Sequence, residues 1–536
     1  MGYVAYSRFV PVEGAELYTV ILLPREQGSF PTVLFRSPYV DGEEAAEEEV
    51  LLPALLQKNA KWLDYGYAVV WQHCRGRGKS TGDCIPYIYE REDGLALRAW
   101  VREQSFYNGE LFLCGGSYTS SVHYVTVPFE SDVKGAVLEV QDCERYNCNY
   151  RNGFYKSNLH GEWYFKMYKR KSIPKKNFTP ESYLTLPLSS LSEIATGEKI
   201  ADYDEILRHP RRDDPFWETR YGGGEAHDAV KHARIPILFT TGFYDLYAGG
   251  IFDMWNGMDD EARSRCALVV HPYDHGGTPD KQPIAFENGR ISEQFPDYRQ
   301  RWCDAVRGLG EFPITQGKVT YYGLFGRGWC TDAFKRPITT IINRLGEGER
   351  TYRYNPYAPA RFKGGLSANF GGTAYQDPPN SRYDILTVYT HEFMEETFVK
   401  GKMGLRLKVR STAEDTCFYV RISLTKEDGD YGLRDDVTQI SNVCPDYVPG
   451  ETVTLDFSFD EHAFTVKPGE RLRIDISSSA FPHYVRHTNR RGLFSEQTDA
   501  VCADNTVLLG ESFLEFPCEA KSLEEEYSRS SSAEVL

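Results

Sequence analysis

The stretch Leu111-Phe-Leu-Cys-Gly-Gly-Ser-Tyr-Thr-Ser120 decides the fold. Its apolar start reads as a buried strand, two glycines follow, and the residues from Tyr118 onward carry a helical pattern. A serine at such a strand-to-helix turn is held in a tight backbone with its hydroxyl lifted above the sheet. Small neighbours let strand and helix approach each other there, which is the physical content of the G-x-S-x-G nucleophile elbow. The match is partial, because Gly115 stands two before Ser117 but Thr119 stands two after it. Glycine and serine are ordinary turn residues. Ser117 is therefore a candidate nucleophile only if the chain supplies its partners.

Working outward, the chain up to about residue 144 alternates short apolar runs with helical stretches. Leu17–Leu23, Thr32–Arg36, Ala68–Trp71, Leu111–Cys114 and Ala136–Val140 read as strands, and their continuous apolarity suits parallel strands buried on both faces. Glu43–Tyr65 and Asp93–Glu103 carry helical spacing between them. The alternation predicts an α/β sheet. It breaks over about 145–235 and resumes with Pro236–Thr241 and Ala267–His271, as it would around an inserted cap. Beyond about 312 the pattern becomes repeated alternating segments, among them Lys318–Leu324, Ile338–Leu345, Phe418–Thr425 and Arg471–Ser478, separated by turn clusters. That texture belongs to a β-sandwich or jelly roll. The expected organisation is an α/β-hydrolase core over 1–144 and 236–311, a helical cap insert over 145–235, a jelly-roll β domain over 312–520 and a polar tail over 521–536.

A serine hydroxyl is a weak nucleophile until a base takes its proton, and the base needs a carboxylate to orient it. In α/β-hydrolases these follow in the order Ser, Asp or Glu, His, each after a strand. Downstream of Ser117 the strand at 236–241 leads to Gly242-Phe-Tyr-Asp245, and the next leads to His271-Pro-Tyr-Asp-His275. Both lie at the carboxyl ends of strands, where an open α/β sheet places its site. His271 competes with His275 for the base, and the loop position favours His275. Asp274 and Asp253 compete with Asp245. His73 and His123 come too early for this order and read as structural.

Composition limits the partners. The 536 residues carry a formal charge of -16 and no long basic run, which disfavours nucleic acid and anionic membrane surfaces. No apolar stretch approaches the roughly 18 residues of a membrane span. The start MGYVAYSRFVPVEG lacks the features of a signal peptide. The 12 cysteines form no CxxC, so reduced thiols, a cytoplasmic setting and no structural metal are expected. GRGKS at Gly76–Ser80 lacks the first glycine of a phosphate-binding loop, where His73 stands, and HEFMEE at His391–Glu396 lacks the second zincin histidine. No cofactor is expected. Self-association into a homo-oligomer is compatible with this composition.

Further motifs fall in order along most of the chain: FRSPY at Phe35–Tyr39, HCRGRGKSTGD at His73–Asp83, Asp93-Gly94 leading to Trp100, and GGSYTS around Ser117. DDPFWETR, GFYD at Gly242–Asp245, HPYDHG at His271–Gly276 and RLRIDISSSAFPHYVRHTN in the last third follow. With these the sequence resembles the CocE/NonD hydrolase family, the cocaine esterase-like group related to X-prolyl dipeptidyl peptidases. The resemblance implies Ser117, Asp245 and His275 as a catalytic triad. It also implies an oxyanion hole pairing the Tyr39 hydroxyl with the backbone N–H of Tyr118. Four departures stand out. Ser120 replaces a usual glycine, Tyr244 stands where tryptophan is common, and His271 where glycine often precedes the proline. Asp245-Leu-Tyr-Ala lacks the acidic pair with which α-amino acid ester hydrolases of this family hold a substrate ammonium.

The reading that follows is a serine hydrolase cleaving acyl esters or amides of a small-molecule or short-peptide substrate through an acyl-enzyme. The alternatives are an X-Pro dipeptidyl-peptidase-type exopeptidase and, in a different class, a noncatalytic binding protein using the jelly roll.

Overall fold

The structure, a computed structural model, describes residues 2–40, 46–127, 132–169, 175, 178–221, 223–277, 279, 284–337, 339–366, 371–519 and 534–535. Its first part alternates strands β1 (Val4–Val12), β2 (Ala15–Leu23), β3 (Phe30–Ser37), β4 (Ala68–His73), β5 (Tyr107–Gly116) and β6 (Val133–Glu139) with helices α1 (Glu48–Lys58), α2 (Ala60–Asp64), α3 (Glu90–Arg102) and α4 (Tyr118–Tyr124). After β6 come α5 (Arg145–Asn149), a hairpin of β7 (Tyr150–Arg151) and β8 (Phe154–Tyr155), and α6 (Ser157–Met167), α7 (Leu191–Thr196), α8 (Ala201–Arg208), α9 (Pro215–Tyr221) and α10 (Gly223–Lys231). The strand–helix alternation then resumes with β9 (Ile237–Tyr244), α11 (Ala248–Gly257), α12 (Asp260–Arg265), β10 (Ala267–Asp274), α13 (Ile291–Gln294), α14 (Tyr298–Val306), β11 (Val319–Gly323) and β12 (Gly328–Asp332).

These strands form one ten-stranded sheet in the order β1-β2-β4-β3-β5-β6-β9-β10-β11-β12. From β4 to β11 every neighbour is parallel. β9 and β10 are buried along their whole length, as continuous apolar strands covered on both faces must be. Helix α3 turns Leu97 and Val101 inward, together with the buried charged residues Glu90, Asp93 and Arg98, and leaves Glu92 and Arg102 exposed, so its inner stripe closes one face of the sheet. Each such aliphatic side chain contributes about 1.5–3 kcal/mol by burial. The winding reverses between β3 and β5, since β4 lies to one side of β3 and all later strands lie beyond β5. That switch point opens a crevice at the carboxyl edge.

Two strands differ from the sequence expectation. β2 is buried as expected but pairs antiparallel, with β1 and with β4. Continuous apolarity reports burial and says nothing of strand direction; the direction here is set by the two-residue turn at Glu13-Gly14, with Gly14 at φ +73°. The segment Lys318–Leu324, grouped by its alternation with the β domain, supplies β11, which extends the α/β sheet beside β10. β11 lies between β10 and β12 and is buried throughout, so its polar positions mark hydroxyls satisfied inside the protein, Thr320 by Thr331, Tyr321 by Asp332 and Tyr322 by the Glu287 carbonyl, and not a face turned to water.

The C-terminal region carries β13 (Thr340–Arg344), β14 (Glu349–Tyr354), β15 (Leu386–Tyr389), β16 (Thr397–Gly401), β17 (Gly404–Ser411), β18 (Cys417–Lys426), β19 (Gly429–Gln439), β20 (Val453–Ser458), β21 (His462–Val466), β22 (Arg471–Ser477), β23 (Ala503–Leu508), β24 (Phe513–Glu519) and β25 (Glu534–Val535). They build an eight-stranded sheet and a five-stranded sheet, antiparallel throughout, whose inner faces share one core with the α/β sheet. The fold is thus an α/β-hydrolase domain with a helical insert and a C-terminal β domain. His391–Glu396 is the irregular link between β15 and β16. Most of the tail 521–536 and residues 43–45 of the expected first helix lie outside the described residues.

The parts are firmly joined. Leu324 exchanges backbone hydrogen bonds with Ala463 (3.0 Å) and Thr465 (2.9 Å) of β21. The Tyr244 hydroxyl, at the end of β9, donates to the Gly432 carbonyl of β19 at 3.0 Å. On the insert, Arg151 reaches from the β7–β8 hairpin to Asp436 and Asp460, each at 2.8 Å. Among the described residues no helix is long and apolar enough to cross a membrane, and no group of three His, Cys, Asp or Glu could hold a metal ion.

Candidate active site

The carboxyl edge of the ten-stranded sheet gathers four loop positions. β5 ends one residue before Ser117, β9 one before Asp245, β10 one before His275, and β3 two before Tyr39. At the elbow Ser117 takes φ +58° and ψ −132°, a strained backbone for a residue with a Cβ. Its surroundings enforce it. The Ser117 N–H donates to the Glu139 carbonyl of the neighbouring strand at 2.9 Å, and its carbonyl accepts from Ser120 N–H at 2.8 Å to start α4. A Cβ on Gly115 would sit 2.1 Å from the Thr119 carbonyl oxygen, so helix and strand can approach this closely only over a glycine. Ser120, the departure from glycine, is accommodated. Its buried hydroxyl lies 2.6 Å from the Gly115 carbonyl, to which it donates, and accepts from Glu139 N–H at 2.9 Å. The second position of the partial motif, Thr119, bonds through its hydroxyl to Gly116 N–H at 2.6 Å.

Ser117, His275 and Asp245 form one hydrogen-bonded line. His275 Nε2 lies 3.0 Å from Ser117 Oγ, and His275 Nδ1 lies 3.0 Å from Asp245 Oδ1. Asp245 is fully buried. It accepts from the Thr241 hydroxyl at 3.0 Å and from Tyr247 N–H at 3.2 Å, which fixes both carboxylate oxygens. Burial alone would pull the His275 pKa down. The Asp245 carboxylate, by charge and hydrogen bond, and Asp274 more weakly, outweigh this and hold it above the ordinary histidine value.

The rivals fall elsewhere. His271 is buried within β10, its Nδ1 accepts from Tyr273 N–H at 3.3 Å, and burial lowers its pKa to about 4. A bulge between His271 and Asp274 carries the strand on to the His275 loop. Asp274 turns back to Gly276 N–H at 3.1 Å, and Asp253 pairs with Lys402 at 3.4 Å. His73 and His123 are buried, with pKa values pushed down by desolvation.

Tyr39 Oη stands 3.4 Å from Ser117 Oγ. Burial raises its pKa, so the phenol keeps its proton and remains a donor; hydrogen bonds with Ser117, the Trp163 side chain and the Tyr118 backbone act in the opposite direction. Trp163 comes from α6 of the insert and packs with Tyr39, Tyr87 and Tyr118 in one aromatic cluster. Trp163, Tyr87 and Glu90 were not read from the sequence. An acid in the first turn of the amphipathic α3 was the one available signal for Glu90; Trp163 and Tyr87 reach the site by tertiary packing alone.

Comparison with known proteins agrees with this architecture. Residues 13–277 match the X-Pro dipeptidyl-peptidase (S15 family) domain, and residues 307–513 match the X-Pro dipeptidyl-peptidase C-terminal non-catalytic domain. The chain is 24% identical to cocaine esterase of Rhodococcus sp. (strain MB1 Bresler) over 93% of its length and 95% of that protein. An α-amino acid ester hydrolase superposes with a TM-score of 0.83 at 18% identity, covering 96% of this chain and 97% of that one. A CocE/NonD family hydrolase from Staphylococcus aureus gives a TM-score of 0.65 at 15% identity, covering 96% and 93%. With its S15-type hydrolase domain, its C-terminal β domain and the strand order between them, the chain belongs to the CocE/NonD family of serine hydrolases, which act on esters or peptides.

Proposed function

We propose that Ser117 is the nucleophile of an acyl transfer in which His275 is the general base and Asp245 orients it. The observation that carries this is the unbroken line Asp245–His275–Ser117, with both links at 3.0 Å. Ser117 Oγ attacks the substrate carbonyl as its proton passes to His275 Nε2, and the imidazolium is stabilised by the buried Asp245. The Tyr39 hydroxyl and the Tyr118 N–H donate to the oxyanion of the tetrahedral intermediate. His275 returns the proton to the leaving group. Water then enters by the same route and releases the acyl group from Ser117.

The substrate is a small ester or a short-peptide amide. Asp245 is followed by Leu246 and Tyr247, and the Tyr247 ring lies 5.5 Å from that of His275, so no carboxylate follows the triad acid to hold a free ammonium. This favours a neutral aromatic or aliphatic acyl group over an α-amino acyl one. The X-Pro exopeptidase reading draws support from the two matched domain descriptions, and rates on X-Pro anilides against aromatic esters separate it from the ester reading. The insert over 145–235 acts as the cap, since it supplies Trp163 to the site. Twelve free thiols, most of them buried, fit a reducing cytoplasmic setting.

A fluorophosphonate probe tests the assignment. Wild type labels stoichiometrically and Ser117→Ala does not. Equal labelling of both, or of neither, removes Ser117 from the nucleophile role.

A further inference from the structure

Tyr118 contributes to the site through its backbone, but its side chain is tied down at the far end. The phenol is buried and donates to Glu90 Oε1 at 2.8 Å. It accepts from the backbone N–H of Tyr87 at 2.7 Å. Both of its hydrogen-bonding roles are thereby used, each by the segment that leads into α3. Tyr87 holds φ +68°, a left-handed conformation that a bulky residue adopts only when its surroundings compel it. The Tyr87 ring stacks on Tyr118 with centroids 4.3 Å apart and planes at 24°, and the Arg145 guanidinium lies over the ring, 4.4 Å from its centroid. The strained residue is thus held by contacts with both Tyr118 and a cation of the insert.

Glu90 is fixed in turn. Its carboxylate pairs with Arg36 at 3.0 Å, and Arg36 Nη1 donates to the Glu90 carbonyl at 2.7 Å. Arg36 Nε donates to Gln72 at 2.9 Å, and Gln72 donates to the Thr19 hydroxyl at 3.1 Å. A second arginine, Arg75, holds Asp93 one turn along α3 at 2.6 Å. A continuous set of buried hydrogen bonds therefore runs from β2 through β4, β3 and α3 to the phenol of the residue after Ser117.

We propose that Glu90 is a positioning residue for acyl transfer: by fixing the Tyr118 phenol it holds the first residue of α4, and with it the Tyr118 amide N–H, in line with the oxyanion. The geometry explains the need. The amide follows directly on the positive-φ Ser117, where the backbone would otherwise relax, and one rigid aromatic ring anchored at both ends resists that relaxation. An electrostatic donor acts only if it points at the developing charge, and small misplacements are costly. The inference rests on the assignment of Ser117 as nucleophile and the Tyr118 N–H as oxyanion donor.

Tyr118→Phe keeps the ring and its stacking and removes only the anchoring hydroxyl. The expected result is a fall in kcat of about 10- to 100-fold with KM changed less than about twofold. The affinity for an arylboronic acid, which forms a tetrahedral anion on the serine, should fall by the same factor as kcat, while the affinity for the carboxylic acid product stays as in wild type. Glu90→Gln keeps an acceptor for the phenol and should recover most of the kcat that Glu90→Ala loses. Wild-type kcat in a folded Tyr118→Phe, or a loss of boronate affinity matched by equal loss of product affinity, overturns the positioning role. If Tyr118→Phe does not fold, the Glu90→Gln and Glu90→Ala comparison decides, and equal kcat for the two overturns it. Failure of wild type itself to label with a fluorophosphonate would instead refute the Ser117 assignment.

Discussion

Replacing Asp245 by Asn tests the charge of the proposed triad acid separately from its shape. The Asp245 oxygen that faces His275 Nδ1 at 3.0 Å also accepts the Tyr247 N–H at 3.2 Å, so that position calls for an oxygen in the variant too. The other oxygen accepts from the Thr241 hydroxyl, which can rotate to accept from an amide nitrogen. Asp245→Asn therefore preserves the histidine tautomer and removes one charge at about 4 Å from the imidazolium centre. At an effective dielectric of about 20 that charge is worth about 4 kcal/mol, or about 10³-fold in kcat at 1.36 kcal/mol per decade. The pH profile has a definite sign. His275 must be neutral to accept the proton, so kcat/KM falls as pH drops through its pKa. Burial lowers that pKa and Asp245 raises it by more. Without the carboxylate only the lowering remains dominant, and the acid limb moves to lower pH. Steady-state hydrolysis of a p-nitrophenyl ester across pH 4–9 reads both effects. A loss under about 10-fold, or an acid limb that stays in place or moves up, would refute the reasoning.

Tyr39→Phe removes the hydroxyl 3.4 Å from Ser117 Oγ and should reduce kcat about 10²- to 10³-fold with KM little changed, as read by steady-state kinetics. Unchanged kcat would retire Tyr39 as an oxyanion donor. Arg151→Ala leaves the buried carboxylates of Asp436 and Asp460 without the guanidinium that bonds each at 2.8 Å. A loss of about 3 kcal/mol in unfolding free energy is expected in a denaturant titration, and a loss below about 1 kcal/mol would mean that the contact does not latch the insert to the β domain.

The parts of the fold visible in the sequence are those with a local cause. β3 to β6, β9 and β10 announce themselves by apolar runs, because a strand covered on both faces has no polar side to show. β1, an exposed edge strand whose residues are mostly half-buried, has no such run and is first seen in the structure. β11 shows why texture misleads at a sheet border: its alternation resembles the β domain, and only its parallel register with Leu268–Val270 assigns it to the α/β sheet. For the site, Ser117, Asp245 and His275 are ordered along the chain by the fold itself, so strand ends and chain order point to them. Tyr39 has no such signal and enters only through the family resemblance. Glu90 and Trp163 act through contacts between distant elements, and no spacing along one sequence encodes those.

The bond from the Tyr244 hydroxyl to Gly432, together with the Leu324 bridge to β21, bears on how this protein can be taken apart or recombined. The residue just before Asp245 is buttressed by a strand nearly two hundred positions later, and β11 is paired within the hydrolase sheet on both flanks, while Leu324 directly after it bridges to β21 of the β domain. The C-terminal third is part of the scaffold of the catalytic edge, and cutting the chain after α14 would strip Phe243 and Tyr244 of their packing against His462. A chimera that borrows this third from a relative must therefore match the joint itself: a hydroxyl at 244, a carbonyl opposite it, and the Leu324–Phe464 register. Percentage identity across the exchanged segment matters less than that seam.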